Sequence, residues 1–240
     1  MTAAIDTNLD GLVAIEPTVH GDDRGFLIES FQVDRWRDLG VDETFVQENH
    51  SRSTQRGTLR GMHFQTAPGQ GKLVRCPRGA IFDVAVDLRR GSPTYGRWEG
   101  HVLDDDRHRQ LWVPVGFAHG FQVLSEVADV AYKLTSLYDP DTESEIAWDD
   151  PDVGIEWPVP DPLLSGRDKQ APRLADVADS LPFTYQMIDP EPPRTRMIRS
   201  ALRSSSSSSA HGLPGRFASC VLDLLGRANP RARADSESII

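Results

Sequence analysis

Two cysteines in 240 residues, Cys76 and Cys220, are too few and too far apart for a disulfide framework or a cysteine-based metal site, so both are expected to be free thiols. No apolar run approaches the roughly 20 residues of a bilayer-crossing helix, which excludes a helical membrane span. Positive charge is in deficit. The chain has 26 Lys and Arg against 36 Asp and Glu, a net charge of −10, and phosphate neutralisation along a nucleic acid needs basic patches. No nucleic-acid partner is expected, although a few arginines suffice for a small phosphorylated ligand. The first twelve residues carry Asp6 and Asp10 and lack the basic region and apolar core of a signal peptide, so a cytoplasmic protein is expected.

Helical periodicity is also scarce; what is present is a succession of short alternating runs. Strands are expected at residues 12–15 and 25–31 around a turn at 21–23, at 45–51, 57–65, 72–76 and 80–88, and at 97–103, 110–113, 120–124, 130–134 and 145–148. Residues 80–88 are the clearest case: Phe82, Val84, Val86 and Leu88 share one face, Ile81, Asp83, Ala85 and Asp87 the other. Residues 34–39 read as one short helix closed by Gly40. Many short strands with few helices predict an antiparallel sandwich of jelly-roll type.

From Pro158 the strand signal fades into proline-rich connections, and six consecutive serines, Ser204 to Ser209, have linker composition. Three parts follow: a jelly-roll domain over 1–176, a peripheral segment over 177–199 and a serine-rich tail over 200–240. Phe217, Val221, Leu222, Leu224 and Leu225 can form about three turns of amphipathic helix, a possible partner-docking element. A disordered extension is the simpler reading of that tail.

Chemistry concentrates at Gly57-Thr-Leu-Arg-Gly-Met-His-Phe-Gln65, where Arg60 and His63 stand among apolar Leu59, Met62 and Phe64. Imidazole is the natural proton carrier near neutrality, but one strand histidine is by itself more often structural. Pro114-Val-Gly-Phe-Ala-His-Gly120 has the Pro-x-Gly-x-x-His spacing of a second cupin motif, and His63 falls where the first would be. Metal-binding cupins have a second histidine two residues on, where Gln65 stands here. His63 and His119 alone are a poor donor set for a transition metal, so no metal and no cofactor are expected.

Arg24-Gly-Phe26 with Glu29, Gln47-Glu-Asn49-His-Ser51, Leu59 to Gln65, Lys72 to Arg75, Phe82 to Arg89, Trp112 to Gly120, Tyr132-Lys133, Tyr138-Asp-Pro140 and Trp148 to Pro151 occur in the order seen in dTDP-4-dehydrorhamnose 3,5-epimerases. The chain resembles that family, cupin-like jelly rolls, over about residues 11–175. The resemblance implies epimerisation of dTDP-4-keto-6-deoxy-D-glucose at C3 and C5, both acidified by the C4 ketone, on the way to L-rhamnose. It implies His63 as base with Asp168 as its carboxylate partner, Lys72 as stabiliser of the enolate oxygen and Tyr132 as proton donor. A phenol is protonated at neutral pH, as a donor must be.

Arg24, Phe26, Glu29, Gln47, Asn49, Arg60, His119, Tyr138, Glu143 and Arg167 match substrate-binding positions, and the guanidinium fork suits a pyrophosphate. The family is homodimeric, so Arg24, Phe26 and Glu29 are expected to serve a partner's site. Without the family, Arg24 and Glu29 read as a solvated edge pair, Lys72 as either a surface cap or a pocket cation, and Tyr132 as a packed strand tyrosine. Phe64 and Leu137 stand where tyrosine is common, and Arg167 where lysine is. The alternatives are a C3-only or C5-only epimerase for another deoxysugar, a non-catalytic nucleotide-sugar-binding cupin, and a metal-dependent dioxygenase, which Gln65 disfavours.

Overall fold

The computed structural model describes residues 1–186. In chain order the strands are β1 (Ala3–Ile5), β2 (Val13–Glu16), β3 (Val19–Asp22) and β4 (Gly25–Ile28), then helix α1 (Val33–Asp38). There follow β5 (Gln47–Ser53), β6 (Leu59–Gln65), β7 (Lys72–Arg78), β8 (Ala80–Asp87), β9 (Trp98–Asp104), β10 (Gln110–Val113), β11 (Phe117–Val123), β12 (Ala128–Leu134) and β13 (Glu143–Glu145). A short 3₁₀ turn at Asp168–Gln170, α2 (Leu174–Val177) and a second 3₁₀ turn at Ala178–Ser180 complete the described elements.

Two antiparallel sheets face each other: a six-stranded sheet ordered β1-β2-β10-β7-β12-β5 and a five-stranded sheet ordered β13-β6-β11-β8-β9. The hairpin β3–β4 stands apart from both. This is the expected cupin-like jelly roll with short peripheral helices.

Period-two alternation explains the layers. Ile81 and Ala85 of β8 enter the core between the sheets, with Val74, Leu111, Val113, Phe117, Phe121, Val123 and Val130. Val84, Val86 and Leu88 point to the opposite face, which Ile146, Val153, Leu174, Leu181 and Phe183 cover. Both faces of β8 are therefore packed, and the one that carries Ile81 and Ala85 also buries Asp83 and Asp87.

The outer face of the six-stranded sheet is closed by α1. Gln32 caps this helix by accepting the Arg35 N–H, and Gly40, at φ +98°, ends it in a conformation glycine adopts without strain. Trp36 is fully buried against Ile15, Leu73 and Trp112, with Phe31 and Phe45 packed around it.

Several boundaries differ from expectation. The turn expected at 21–23 lies at residues 23–24, so that Gly21 and Asp22 belong to β3. β13 runs over Glu143–Glu145, and beyond it Ile146 pairs with Met62 through backbone hydrogen bonds. β1 was not expected at all; its three residues are too short for a period to register.

Packing continues past 176: Leu181 and Phe183 are buried, Arg90 and Tyr185 share a backbone hydrogen bond, and the Tyr185 hydroxyl donates to Asp10. The rest of the peripheral segment, the serine-rich tail and Cys220 lie outside the described residues. Cys76 is buried, and burial pushes its thiol up to about 12. Among the described residues no helix is long and apolar enough to cross a membrane.

Candidate active site

Strands of both sheets carry the candidate residues: Arg60, His63 and His119 on β6 and β11 of one, Lys72, Tyr132, Asn49 and Gln47 on β7, β12 and β5 of the other. β6 contributes through an irregularity. Pairing with β11 sets His63 opposite His119 and Arg60 opposite Phe121, with a register shift between them. That bulge puts Arg60 and His63, three residues apart, on the same inward face, where strict alternation would separate them. Arg60 reaches across to the other sheet and donates to Ser53 Oγ at 3.3 Å. Gly61 makes the irregularity possible: at φ +134°, a Cβ here would sit 2.5 Å from the Gly120 Cα.

His63 Nε2 lies 2.7 Å from Asp168 Oδ1. Asp168 begins the 3₁₀ turn and is buried, and its second oxygen accepts from Ser165 Oγ at 2.8 Å while its own N–H donates back to that hydroxyl. Burial works against the carboxylate charge, yet the bonds from His63 and Ser165 outweigh it and hold Asp168 below the ordinary aspartate value. A carboxylate accepting Nε2–H leaves the Nδ1 lone pair as the basic position.

Lys72, the first residue of β7, is 9% exposed and so is a pocket cation rather than a surface cap. Its ammonium donates to the His63 carbonyl at 3.2 Å. Burial pushes it down to about 8, against the pull of Glu143 and Asp83. His119 has a carboxylate of its own, Asp83 Oδ1 at 2.8 Å; Asp83 is fully buried and its other oxygen has no hydrogen-bond partner.

Opposite these groups, β12 carries Tyr132, packed against the inter-sheet core and paired in register with Asn49 of β5. Asn49 donates to the Tyr132 hydroxyl at 3.3 Å and accepts from Gln47 at 2.9 Å. Gln47 Oε1 in turn accepts the Tyr138 N–H at 3.0 Å, and the Tyr138 hydroxyl donates to Glu143 at 3.0 Å. Arg167 ties Glu143 to Glu145. Burial disfavours the Glu143 charge, but the bonds from Arg167 and Tyr138 hold its carboxyl below the ordinary glutamate value.

His63, Asp168, Lys72, Tyr132, Gln47, Asn49, Arg60, His119, Tyr138, Glu143 and Arg167 are thus linked by hydrogen bonds, by register or by charge. Arg24, Phe26 and Glu29 are not among them. They lie on or beside the β3–β4 hairpin, where Arg24 pairs with Asp22, Phe26 lies with its ring 4.4 Å from that of His108, and Glu29 pairs with Arg35 of α1. Arg24 and Glu29 therefore do not form the edge pair that their residue types suggest, because each has a nearer partner.

Sequence reasoning passed over Asp83, Ser165 and Glu145. Asp83 left a signal: it is a carboxylate on the strand face it shares with Ile81 and Ala85, which a buried face tolerates only if the charge is paired. Among the described residues no group of three or more His, Cys, Asp or Glu side chains could hold a metal ion.

A cupin-like jelly roll whose mouth holds an oriented imidazole, a buried ammonium and a phenol on the facing sheet belongs with the acid–base enzymes of that architecture. Comparison with known proteins narrows the class. A family model described as dTDP-4-dehydrorhamnose 3,5-epimerase matches residues 6–176. The dTDP-4-dehydrorhamnose 3,5-epimerase of Pseudomonas aeruginosa is 52% identical over 173 residues, 71% of this chain and 94% of that protein. The protein of the same name from Methanothermobacter thermautotrophicus is 51% identical over 168 residues, 69% of this chain and 90% of its own length.

Among solved structures, the dTDP-6-deoxy-D-glucose-3,5-epimerase of Legionella pneumophila Philadelphia 1, in complex with dTDP-4-keto-L-rhamnose, superposes with a TM-score of 0.74 at 47% identity. That match covers 78% of this chain and all of the other. The chain belongs to the dTDP-4-dehydrorhamnose 3,5-epimerase family.

Proposed function

We propose that the protein converts dTDP-4-dehydro-6-deoxy-D-glucose to dTDP-4-dehydro-L-rhamnose by inverting C3 and C5. The observation that carries the reading is the opposed placement of His63 and Tyr132. The first projects from the five-stranded sheet and the second from the six-stranded sheet, so a sugar between them has a base on one face and an acid on the other.

His63 Nδ1 removes the proton beside the C4 ketone, and the C–H electron pair moves into an enolate whose charge settles on the C4 oxygen. Asp168 holds the imidazole ring and stabilises the imidazolium that forms. Lys72 supplies positive charge to the developing oxygen, and its burial strengthens that interaction. Tyr132 returns a proton to the opposite face, which inverts the carbon, and the imidazolium proton restores the phenol through solvent. Two such cycles, one at each carbon flanking the ketone, complete the conversion.

Around the chemistry, Arg60 offers a guanidinium fork to the pyrophosphate, Arg167 keeps one amino group for the substrate while it ties Glu143 to Glu145, and His119 and Glu143 offer hydrogen-bonding groups to the sugar. Tyr138, Gln47 and Asn49 form the rim against which the nucleoside lies. Arg24, Phe26 and Glu29 complete the site of a second copy in a homodimer. Supporting this, the Arg24 side chain is 89% exposed, Phe26 and Leu27 are exposed beside it, and β5, which carries Gln47 and Asn49, is an edge strand of its sheet among the described residues.

The decisive variant is His63→Ala, which should abolish turnover while dTDP affinity stays within about tenfold of wild type. Wild-type rates in that variant would remove His63 from the role of base.

A further inference from the structure

Gln65 occupies the position at which metal-binding cupins place their second histidine, and nothing in the proton transfers uses it. Its side chain is buried and lies on the same face of β6 as His63. Both ends of its amide are engaged. Nε2 donates to the Leu137 carbonyl at 3.1 Å, and Oε1 accepts the Asp139 N–H at 3.3 Å and the Gln70 amide at 3.2 Å. The first two partners are the backbone groups on either side of Tyr138.

Residues 137–139 belong to no strand or helix, so this stretch lacks the ladder that would order it. A side-chain amide offers one donor and one acceptor in the same sense as a peptide group, and here it stands in for the missing strand neighbour. Gln70 reinforces the arrangement by also donating to the Ser136 carbonyl at 3.2 Å.

We propose that Gln65 is a positioning residue that brackets Tyr138 and holds it at the rim of the nucleotide-sugar site. The assignment rests on the epimerase reading for the identity of the ligand. A carboxylate at this position would face the Leu137 carbonyl without a hydrogen to give it, and an apolar side chain would leave two backbone groups unpaired.

The test uses the full chain with Gln65→Met, which approximately preserves volume, and with Gln65→Glu should the first variant not fold. Each is made alone and combined with Tyr138→Ala. Hydrogen exchange over residues 136–140 should accelerate about tenfold while the strands keep wild-type protection, and the dTDP dissociation constant should rise about tenfold. kcat should stay within about threefold, since His63, Lys72 and Tyr132 are untouched.

In the Tyr138→Ala background the affinity change should disappear, because the two residues act as one unit. Unchanged exchange, unchanged affinity, or an equal loss with and without Tyr138 would overturn the proposal; so would exchange that rises across all strands, the mark of a general structural role. A wild-type chain that binds dTDP but never epimerises would remove the epimerase reading and leave the bracketing of Tyr138 to stand on these results. A chain that binds no dTDP would overturn both the reading and the role at the nucleotide rim.

Discussion

His63 and His119 face each other across the β6–β11 pairing, and each imidazole is held by a different buried carboxylate, Asp168 for the first and Asp83 for the second. The two pairs differ in what surrounds them. Asp168 has both oxygens engaged, whereas Asp83 Oδ2 has none. The stronger anchor thus belongs to the histidine assigned as base.

Asp168→Asn keeps the shape of that anchor and removes its charge. The asparagine can present its N–H to the ring and turn His63 into the wrong tautomer, so kcat should fall by about 10²- to 10⁴-fold, with dTDP affinity nearly unchanged. Steady-state kinetics beside a dTDP titration would check this, and an equal loss in both would place Asp168 in binding instead.

Lys72 makes activity and stability move in opposite directions with pH. Its ammonium falls from the ordinary 10.5 to about 8 on burial. Between those values the unfolded chain holds a proton that the folded chain has released, so this residue makes the fold more stable as pH rises. Over the same rise the enolate loses its cation and kcat/KM should fall through about pH 8. Lys72→Met should lose both trends. The measurements are rate profiles and melting temperatures from pH 7 to 10.5, comparing the variant with wild type.

Much of this site was visible in the residue order, and the parts that were not have identifiable causes. His63, Lys72 and Tyr132 lie in motifs that carry the resemblance, Asp168 was named only through that resemblance, and the alternation of Phe82 to Leu88 foretold the two layers packed on β8. Asp83 was overlooked as a partner because its pairing with His119 depends on the β8–β11 register, which no local pattern encodes. The shared face of Arg60 and His63 depends on a bulge that breaks the period by which faces are read. Arg24, Phe26 and Glu29 were expected to serve a partner's site, and in the single chain they stand on or beside the β3–β4 hairpin, apart from His63.

Gly61→Ala tests that bulge. The new methyl carbon would lie 2.5 Å from the Gly120 Cα, 3.0 Å from the His119 carbonyl oxygen and at φ +134°, and backbone atoms cannot rotate out of its way. A loss of about 3 kcal/mol or more is expected, read as a fall in melting temperature or as insoluble expression. A melting temperature like wild type would show that β6 and β11 can separate without cost.

Truncation after Arg199 removes the serine-rich tail and none of the described contacts, which reach Tyr185. Turnover and oligomeric state should match the full chain. Loss of either would assign the tail a part in the enzyme.

The most direct test is incubation with dTDP-4-keto-6-deoxy-D-glucose in deuterated water, with deuterium followed at each sugar carbon by NMR and mass spectrometry. Base and acid on facing sheets should place deuterium at C3 and C5 and invert both centres. Exchange at one carbon alone would make the protein a mono-epimerase, and binding without exchange would contradict the proton-transfer chemistry altogether.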